Sequence, residues 1–155
     1  MSKGLLNFRL ATRADVPTLV AMLADDALGA QREQFTDPLP QAYYAAFEAL
    51  DRDPNNELIL ACLGDRVIGM LQLTYIPSLS YQGGWRALIE SVRVDAAYRS
   101  QGIGRQLMVW TLERAKARGC HLAQLSTHKS RTDAHRFYER LGFEKSHVGM
   151  KLSLK

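Results

Sequence analysis

An apolar strand-like run, Leu88-Ile89-Glu90-Ser91-Val92-Arg93-Val94, leads into an amphipathic helix through the turn Arg99-Ser100-Gln101-Gly102-Ile103-Gly104. A strand that passes into a helix over so short a turn commits the chain to packed layers of sheet and helix. The turn presents consecutive backbone N–H groups and the positive end of a helix dipole, which together suit a phosphate. The helix is read from Gly102, with Gly104, Leu107, Met108, Thr111, Leu112 and Ala115 on one stripe and Gly119 as its stop.

Charge gathers at the same place. Of a net +4, six basic and two acidic residues fall between Arg93 and Arg118, and the rest of the chain is balanced at 14 of each. Alone, such a run reads as a solvated helix face. Beside a phosphate-type turn it favours an anionic small molecule. No aromatic-interleaved basic patch or nucleic-acid motif is present, so nucleic acid is not an expected partner.

The 155 residues predict a single domain over residues 1–155, and 46% hydrophobic with 23% charged residues is ordinary for a globular protein. Cys62 and Cys120 sit in apolar or strand-like surroundings and give no disulfide framework, so a reducing cytoplasm is expected. Met1-Ser2-Lys3-Gly4 lacks a long apolar leader core, and no uncharged stretch of about 18 residues occurs. Neither secretion nor membrane spanning is expected.

Phe8–Ala11 reads as a first strand, and Thr12 with Asp15 as a helix cap for Val16, Leu19, Val20 and Leu23, with Pro17 in the first turn. Leu28–Pro40 reads as polar and irregular, and Gln41–Leu50 as a second helix. Glu57–Leu63 and Val67–Tyr75, joined by Gly64-Asp65, form a hairpin; Trp85–Val94 is a long fourth strand. His121–Thr127 is a fifth strand, and Ala134, Phe137, Tyr138 and Leu141 share a last helical stripe closed by Gly142. Phe143 and the alternating Val148–Leu154 predict one or two further strands. The expected architecture is α/β (α+β): a mixed, mostly antiparallel sheet of about six to seven strands flanked by about four helices.

Two familiar phosphate motifs fail here. A P-loop needs Lys and Ser or Thr after its glycine, where this chain has Arg105-Gln106; the dinucleotide fingerprint needs a third glycine, where it has Leu107. The longer pattern is Arg99-x-x-Gly102-x-Gly104 after Val92-Arg93-Val94, then Ala134-His135-Arg136-Phe137-Tyr138-Glu139-Arg140-Leu141-Gly142-Phe143 a helix and a strand later. It resembles the GNAT superfamily of acetyl-CoA-dependent N-acetyltransferases over nearly the whole chain, in element order and length as well as in motifs. The resemblance implies that the backbone of Val92, Arg93 and Val94 pairs with the pantetheine arm. It implies too that Arg99, Ser100, Gln101, Gly102, Ile103 and Gly104, with Arg105, hold the pyrophosphate. Packing against a neighbour is the plainer reading of Gly104, less so of Gly102.

The resemblance gives Tyr138 the role of proton donor to the departing CoA sulfur, with a core aromatic as the plain alternative; Phe137 is the better packing residue. Glu90 interrupts an apolar strand that should bury it, and a buried carboxylate costs free energy unless paired or used. Relatives often place a glutamate there as the base that deprotonates the amine; the alternative is an ion pair with Arg93 or Arg86. A backbone N–H of the fourth strand, at Val92, would polarise the thioester. The four histidines lack metal-ligand spacing, Cys120 lacks an activating partner, and no metal is expected. Where many relatives carry Asn, this chain has Arg131, which would reach a CoA phosphate or an anionic substrate.

Leu125-Ser126-Thr127, the run Asp133–Tyr138 and Ser146-His147 resemble the aminoalkylphosphonate N-acetyltransferase branch. The likeness fades in Leu28–Tyr44 and Tyr75–Trp85, where this fold chooses its acceptor. A small primary amine is the expected substrate; a non-catalytic acyl-CoA-binding module and a protein-directed acetyltransferase are the alternatives. Relatives often dimerise through C-terminal strands, which leaves a homodimer open.

Overall fold

The computed structural model describes residues 4–155, so the Met1–Lys3 part of the N-terminal reading lies outside the described residues. β1 (Leu6–Leu10) ends at a capped turn: the Asp15 carboxylate accepts from the Thr12 N–H at 2.7 Å and from both Arg9 guanidinium nitrogens at 2.8 and 2.9 Å. This satisfies an orphan donor and launches α1 (Val16–Ala24), with Pro17 in its first turn. Next come α2 (Ala27–Arg32), α3 (Gln41–Arg52), β2 (Asn56–Leu63) and β3 (Arg66–Pro77). The single turn α4 (Ser80–Gly83) precedes β4 (Trp85–Val94), α5 (Ile103–Ala117), β5 (Cys120–Gln124) and α6 (Thr132–Arg140).

The sheet runs β1-β2-β3-β4-β5, antiparallel up to β4 and parallel between β4 and β5. Its two faces are both apolar. Leu60, Cys62 and Met70 pack on Val16, Leu19, Val20 and Met22 of α1 and Phe47 of α3. Ile59, Ala61, Ile68, Leu71, Leu73, Ala87 and Ile89 pack on Leu107, Met108 and Ala115 of α5. Arg114 ties α5 to β2 by donating to Glu57, Nε to Oε1 at 2.9 Å. No helix among the described residues is long and apolar enough to cross a membrane.

Among the described residues, the sheet has five strands where about six to seven were expected, and there are six α-helical segments where about four were expected. One extra helix, α2, lies in the stretch read as irregular; at 6 residues it is too short for a periodicity and is set by Asp26, whose carboxylate caps the Gly29 N–H at 2.5 Å. The other, α4, is one distorted turn with Tyr81 and Gln82 at φ 51° and 58°. β5 stops at Gln124, short of Thr127. The expected final strands do not form: Val148, Met150, Leu152 and Leu154 are 85–93% exposed and pair with nothing. Alternation gives a segment the means to be a strand, but a strand needs a partner edge.

Candidate active site

β4 and β5 pair only from Trp85 to Leu88 of β4, and the last partners are Leu88 and Gln124. Beyond them, Ile89–Val94 keeps β3 on one side and has no strand on the other. The splayed end is a cleft floored by one strand edge. The Val92 and Val94 carbonyls take side-chain donors there, from Arg93 Nη1 at 2.9 Å and Arg99 Nε at 3.2 Å.

A β-bulge distributes the side chains of this strand. Gln72 pairs with Glu90 and Met70 with Arg93, so β4 carries one extra residue, and Ser91 takes φ 55°. Cross-strand partners share a face. Glu90 and Arg93 therefore point with Gln72 and Met70 toward α1 and α3, where Gln72, Ser91, Met70, Val16, Tyr43 and Phe47 line a depression. Val92 and Val94 pack on the α5 side. Without the bulge, Arg93 would point to the opposite face from Glu90.

The structure corrects the expected burial of Glu90: its side chain is exposed at the end of the regularly paired strand, and it forms neither the ion pair with Arg93 nor the one with Arg86. Arg86 instead donates to Ser78 Oγ at 2.8 Å. Arg93 is half-buried and faces no carboxylate within ion-pair distance, and its Nε is the one buried side-chain polar atom without a partner among the described residues. Burial, and then the charge of Arg131, hold its pKa below the ordinary guanidinium value.

The glycine turn closes one end of the cleft. Asp95 opens it by accepting from the Ala97 N–H at 2.9 Å. Ser100 (φ 62°) and Gly102 (φ 80°) both take the left-handed conformation, and the N–H groups of residues 99–102 meet no protein acceptor. The first turn of α5 adds further N–H groups and no acidic side chain. A Cβ at Gly102 would meet nothing, so that glycine serves backbone conformation. A Cβ at Gly104 would lie 3.4 Å from the Phe137 ring and 3.6 Å from Val94, so that glycine serves packing. Ile103 is buried in the α5 core and offers the turn only its peptide group; Arg105 is exposed, and Gln101 Nε2 bonds the Ala97 carbonyl at 3.4 Å.

Tyr138 rises from α6 with its ring against Phe137 and Phe143, centroids 5.1 and 6.0 Å away. Its hydroxyl makes no hydrogen bond among the described residues. Burial raises its pKa, and the positive charges of Arg93 and Arg131 work against that rise. Arg131, at the start of α6, pairs with Asp26 at 2.7 Å; Arg99 of the turn reaches Asp25 at 3.7 Å. The α1–α2 connection thus spans the cleft. Its acidic pair went unread in the sequence, although Asp26 before Ala27 carried a capping signal.

The other sequence candidates stay outside this constellation. His135 Nε2 lies 3.1 Å from the His128 carbonyl and His128 Nδ1 2.7 Å from Ser130 Oγ, a local loop arrangement. No group of three or more His, Cys, Asp or Glu suited to a metal occurs among the described residues. Cys62 is buried and Cys120 half-buried, and burial raises both thiol pKa values, which disfavours a thiolate.

The bulged strand splayed from its parallel neighbour, the turn of unpartnered N–H groups and the helix that carries Tyr138 all fall within a stretch that matches an acyltransferase family. The chain belongs to the acetyltransferase (GNAT) family, whose pattern matches residues 24–143. Among particular proteins, it is 38% identical over 107 residues to the aminoalkylphosphonate N-acetyltransferase of Salmonella typhimurium strain LT2, covering 69% of each chain. It is 32% identical over 89 residues to the glucosamine 6-phosphate N-acetyltransferase of Trypanosoma brucei brucei, covering 57% of this chain and 58% of that protein. A crystal structure of a transcriptional regulator from Bacillus halodurans C-125 superposes with a TM-score of 0.94 at 55% identity, over 97% of this chain and 100% of that one.

Proposed function

We propose that this enzyme moves an acetyl group from acetyl-CoA to the primary amine of a small molecule by direct attack in a ternary complex. The observation that carries the reading is an unpaired β4 edge that ends at a turn of unpartnered N–H groups, with Val92, Val94 and Tyr138 packed against the same core. Those N–H groups suit a pyrophosphate, with Arg99 and Arg105 as flanking charges, and the Val92–Val94 edge suits an amide-bearing arm. When bound, acetyl-CoA supplies the activated acetyl thioester.

Once one proton has left the ammonium, the amine nitrogen forms the new N–C bond with its lone pair as the C–S bond breaks; the nitrogen then sheds a second proton to solvent, and the departing sulfur takes one up from Tyr138, which solvent reprotonates. Glu90, on the acceptor face, receives the proton from the ammonium directly or through water, and solvent access lets it pass the proton on. Tyr138, kept neutral by burial, holds the proton the sulfur needs. The Val92 N–H polarises the acetyl carbonyl. No metal takes part.

The enzyme is read as cytoplasmic and as a homodimer. Among the described residues, neither the C-terminal tail nor the outer edge of β5 has a partner, and in this reading a second copy would supply each to the other. The test is calorimetric titration with acetyl-CoA together with mass-spectrometric detection of N-acetylated product from a panel of small amines. Binding with turnover is expected. Binding without turnover of any amine would favour an acyl-CoA-sensing module, in line with the regulator relative; no binding at all overturns the reading.

A further inference from the structure

Resting on that acetyltransferase reading, we propose that the cavity between α1, α3 and β3 takes the apolar substituent of the acceptor, a primary amine bearing a branched alkyl chain or one aryl ring, and sets its nitrogen beside Glu90. The cavity measures about 130 Å³, and its buried lining includes Leu19, Val20, Phe47 and Met70. Protein interiors hold few voids, and an apolar void forfeits dispersion contacts that a fitting ligand restores. An engineered cavity of about 150 Å³ with this kind of lining stays dry and binds benzene, which indicates the size of group this one admits.

The polar side chains of the lining are Tyr43, Gln72 and Ser91. The Tyr43 hydroxyl is already taken: it donates to Glu33 Oε1 at 3.0 Å and accepts from the Gln34 N–H at 2.9 Å, which leaves the ring as an apolar wall. Gln72 and Ser91 are half-buried and make no side-chain hydrogen bond among the described residues. Both adjoin Glu90, Gln72 as its cross-strand partner and Ser91 as the next residue. An apolar hollow with a few convergent polar groups is the usual form of a small-molecule site. The Gln72 carbonyl and the Ser91 hydroxyl can accept from the ammonium while Glu90 takes its proton.

Other occupants fit less well. Val92 and Val94 of the cofactor edge pack with the α5 cluster, whereas the cavity belongs to the cluster on the opposite face of the sheet. A buried water makes about three hydrogen bonds, more than two free polar side chains beside an apolar lining readily offer. Among the described residues no charged side chain lines the cavity, so an anionic group or a second cation on the acceptor would lose its hydration there without a partner.

The experiment compares ethylamine, 3-methylbutylamine and 2-aminoethylphosphonate as acceptors. Independently of turnover, the methyl signals of protein carrying 13C-methyl methionine are followed by NMR during titration with 3-methylbutan-1-ol, an uncharged isostere of the amine. Each buried CH2 contributes about fourfold, so the added carbons of 3-methylbutylamine should raise kcat/KM over ethylamine by about 60-fold. The Met70 signal should move to saturation, while that of Met108, on the α5 face, stays in place. Ala46 is an exposed α3 residue that lines the cavity, and Ala46→Leu fills it without disturbing the core. That variant should cut the ratio at least about 10-fold and keep the melting temperature and acetyl-CoA affinity. Leu23→Ala should enlarge the cavity and raise the use of 2-phenylethylamine relative to 3-methylbutylamine. Equal use of ethylamine and 3-methylbutylamine, preference for the phosphonate, or an unmoved Met70 signal each overturn the apolar subsite and leave the acetyltransferase reading standing. So does an Ala46→Leu variant that keeps the wild-type ratio. A Met70 shift that Ala46→Leu abolishes, with no amine turned over, would instead keep the cavity site and overturn the enzymatic reading.

Discussion

In the proposed mechanism, Tyr138 concentrates the proton transfer to sulfur in one side chain. Its ring packs against Phe137 and Phe143, while its hydroxyl has no hydrogen-bond partner among the described residues, so packing fixes the ring and leaves the hydroxyl free. Tyr138→Phe keeps the packing and removes the proton; kcat should fall about 100- to 10,000-fold with the KM for acetyl-CoA little changed. A variant within about twofold of wild type would show that the sulfur leaves without this acid. Because burial raises the Tyr138 pKa, the acid stays protonated through neutral pH and kcat is lost only above its ordinary value of about 10. Arg93 pulls that pKa down, so Arg93→Met should shift the alkaline limb of the kcat profile to higher pH. Asp15 shows the opposite sign. The Arg9 hydrogen bonds hold its pKa below the ordinary carboxylate value, so the stability it adds is present above about pH 3.9 and is lost as pH falls through the lowered pKa. Asp15→Asn should cost about 1–3 kcal/mol at pH 7 and less at pH 3, read from urea unfolding at both.

At the scale of elements, the two glycines of the turn do different work, and substitution separates them. Gly102 needs its left-handed backbone but has open space around it; Gly102→Ala should cost about 1 kcal/mol of stability and weaken acetyl-CoA binding at least about 10-fold as the cradle reshapes. Gly104→Val should instead push α5 off Phe137 and lower the melting temperature, since the ring already lies at contact distance. Equal effects of the two on acetyl-CoA binding would defeat this division. The strand-turn-helix unit, the Phe137–Tyr138 helix and the β2–β3 hairpin were legible because each rests on a local period or a local turn. The bulge was not. Nothing in Glu90-Ser91-Val92 marks Ser91 as the extra residue; the insertion arises from the pairing of β4 with β3, which is a long-range property. The same reason hid the exposure of Glu90, since an apolar neighbourhood in sequence gives no account of where a strand loses its neighbour. It also hid the contacts of Asp25 and Asp26 with Arg99 and Arg131, which join residues far apart in the chain.

At the scale of the whole molecule, one border of the sheet is open among the described residues. β5 is the last strand of the sheet and pairs only with β4, so one row of its N–H and C=O groups faces outward. Residues 148–155 place Val148, Met150, Leu152 and Leu154 in alternation with Gly149, Lys151, Ser153 and Lys155, a strand pattern whose apolar side chains are 85–93% exposed. Phe143 anchors the start of this tail through its ring contact with Tyr138 and its N–H bond to the Tyr138 carbonyl at 3.1 Å, after which no bond returns to the sheet. Reciprocal exchange between two copies about a twofold axis would cover both edges and both apolar faces with one repeated contact. Sedimentation should therefore find a species of twice 17.4 kDa, and Met150→Asp combined with Leu152→Asp should convert it to the monomer. In the wild type, the tail and β5 amides should be protected from hydrogen exchange, and in the double variant both should exchange freely. A monomeric wild type with protected tail amides would mean that the tail closes on its own β5, and one with unprotected amides that the tail pairs with nothing; either result rules out exchange. If the dimer forms, the position of β5 beside the cleft depends on the partner, and the double variant should lose acetyl-CoA affinity as well as its partner.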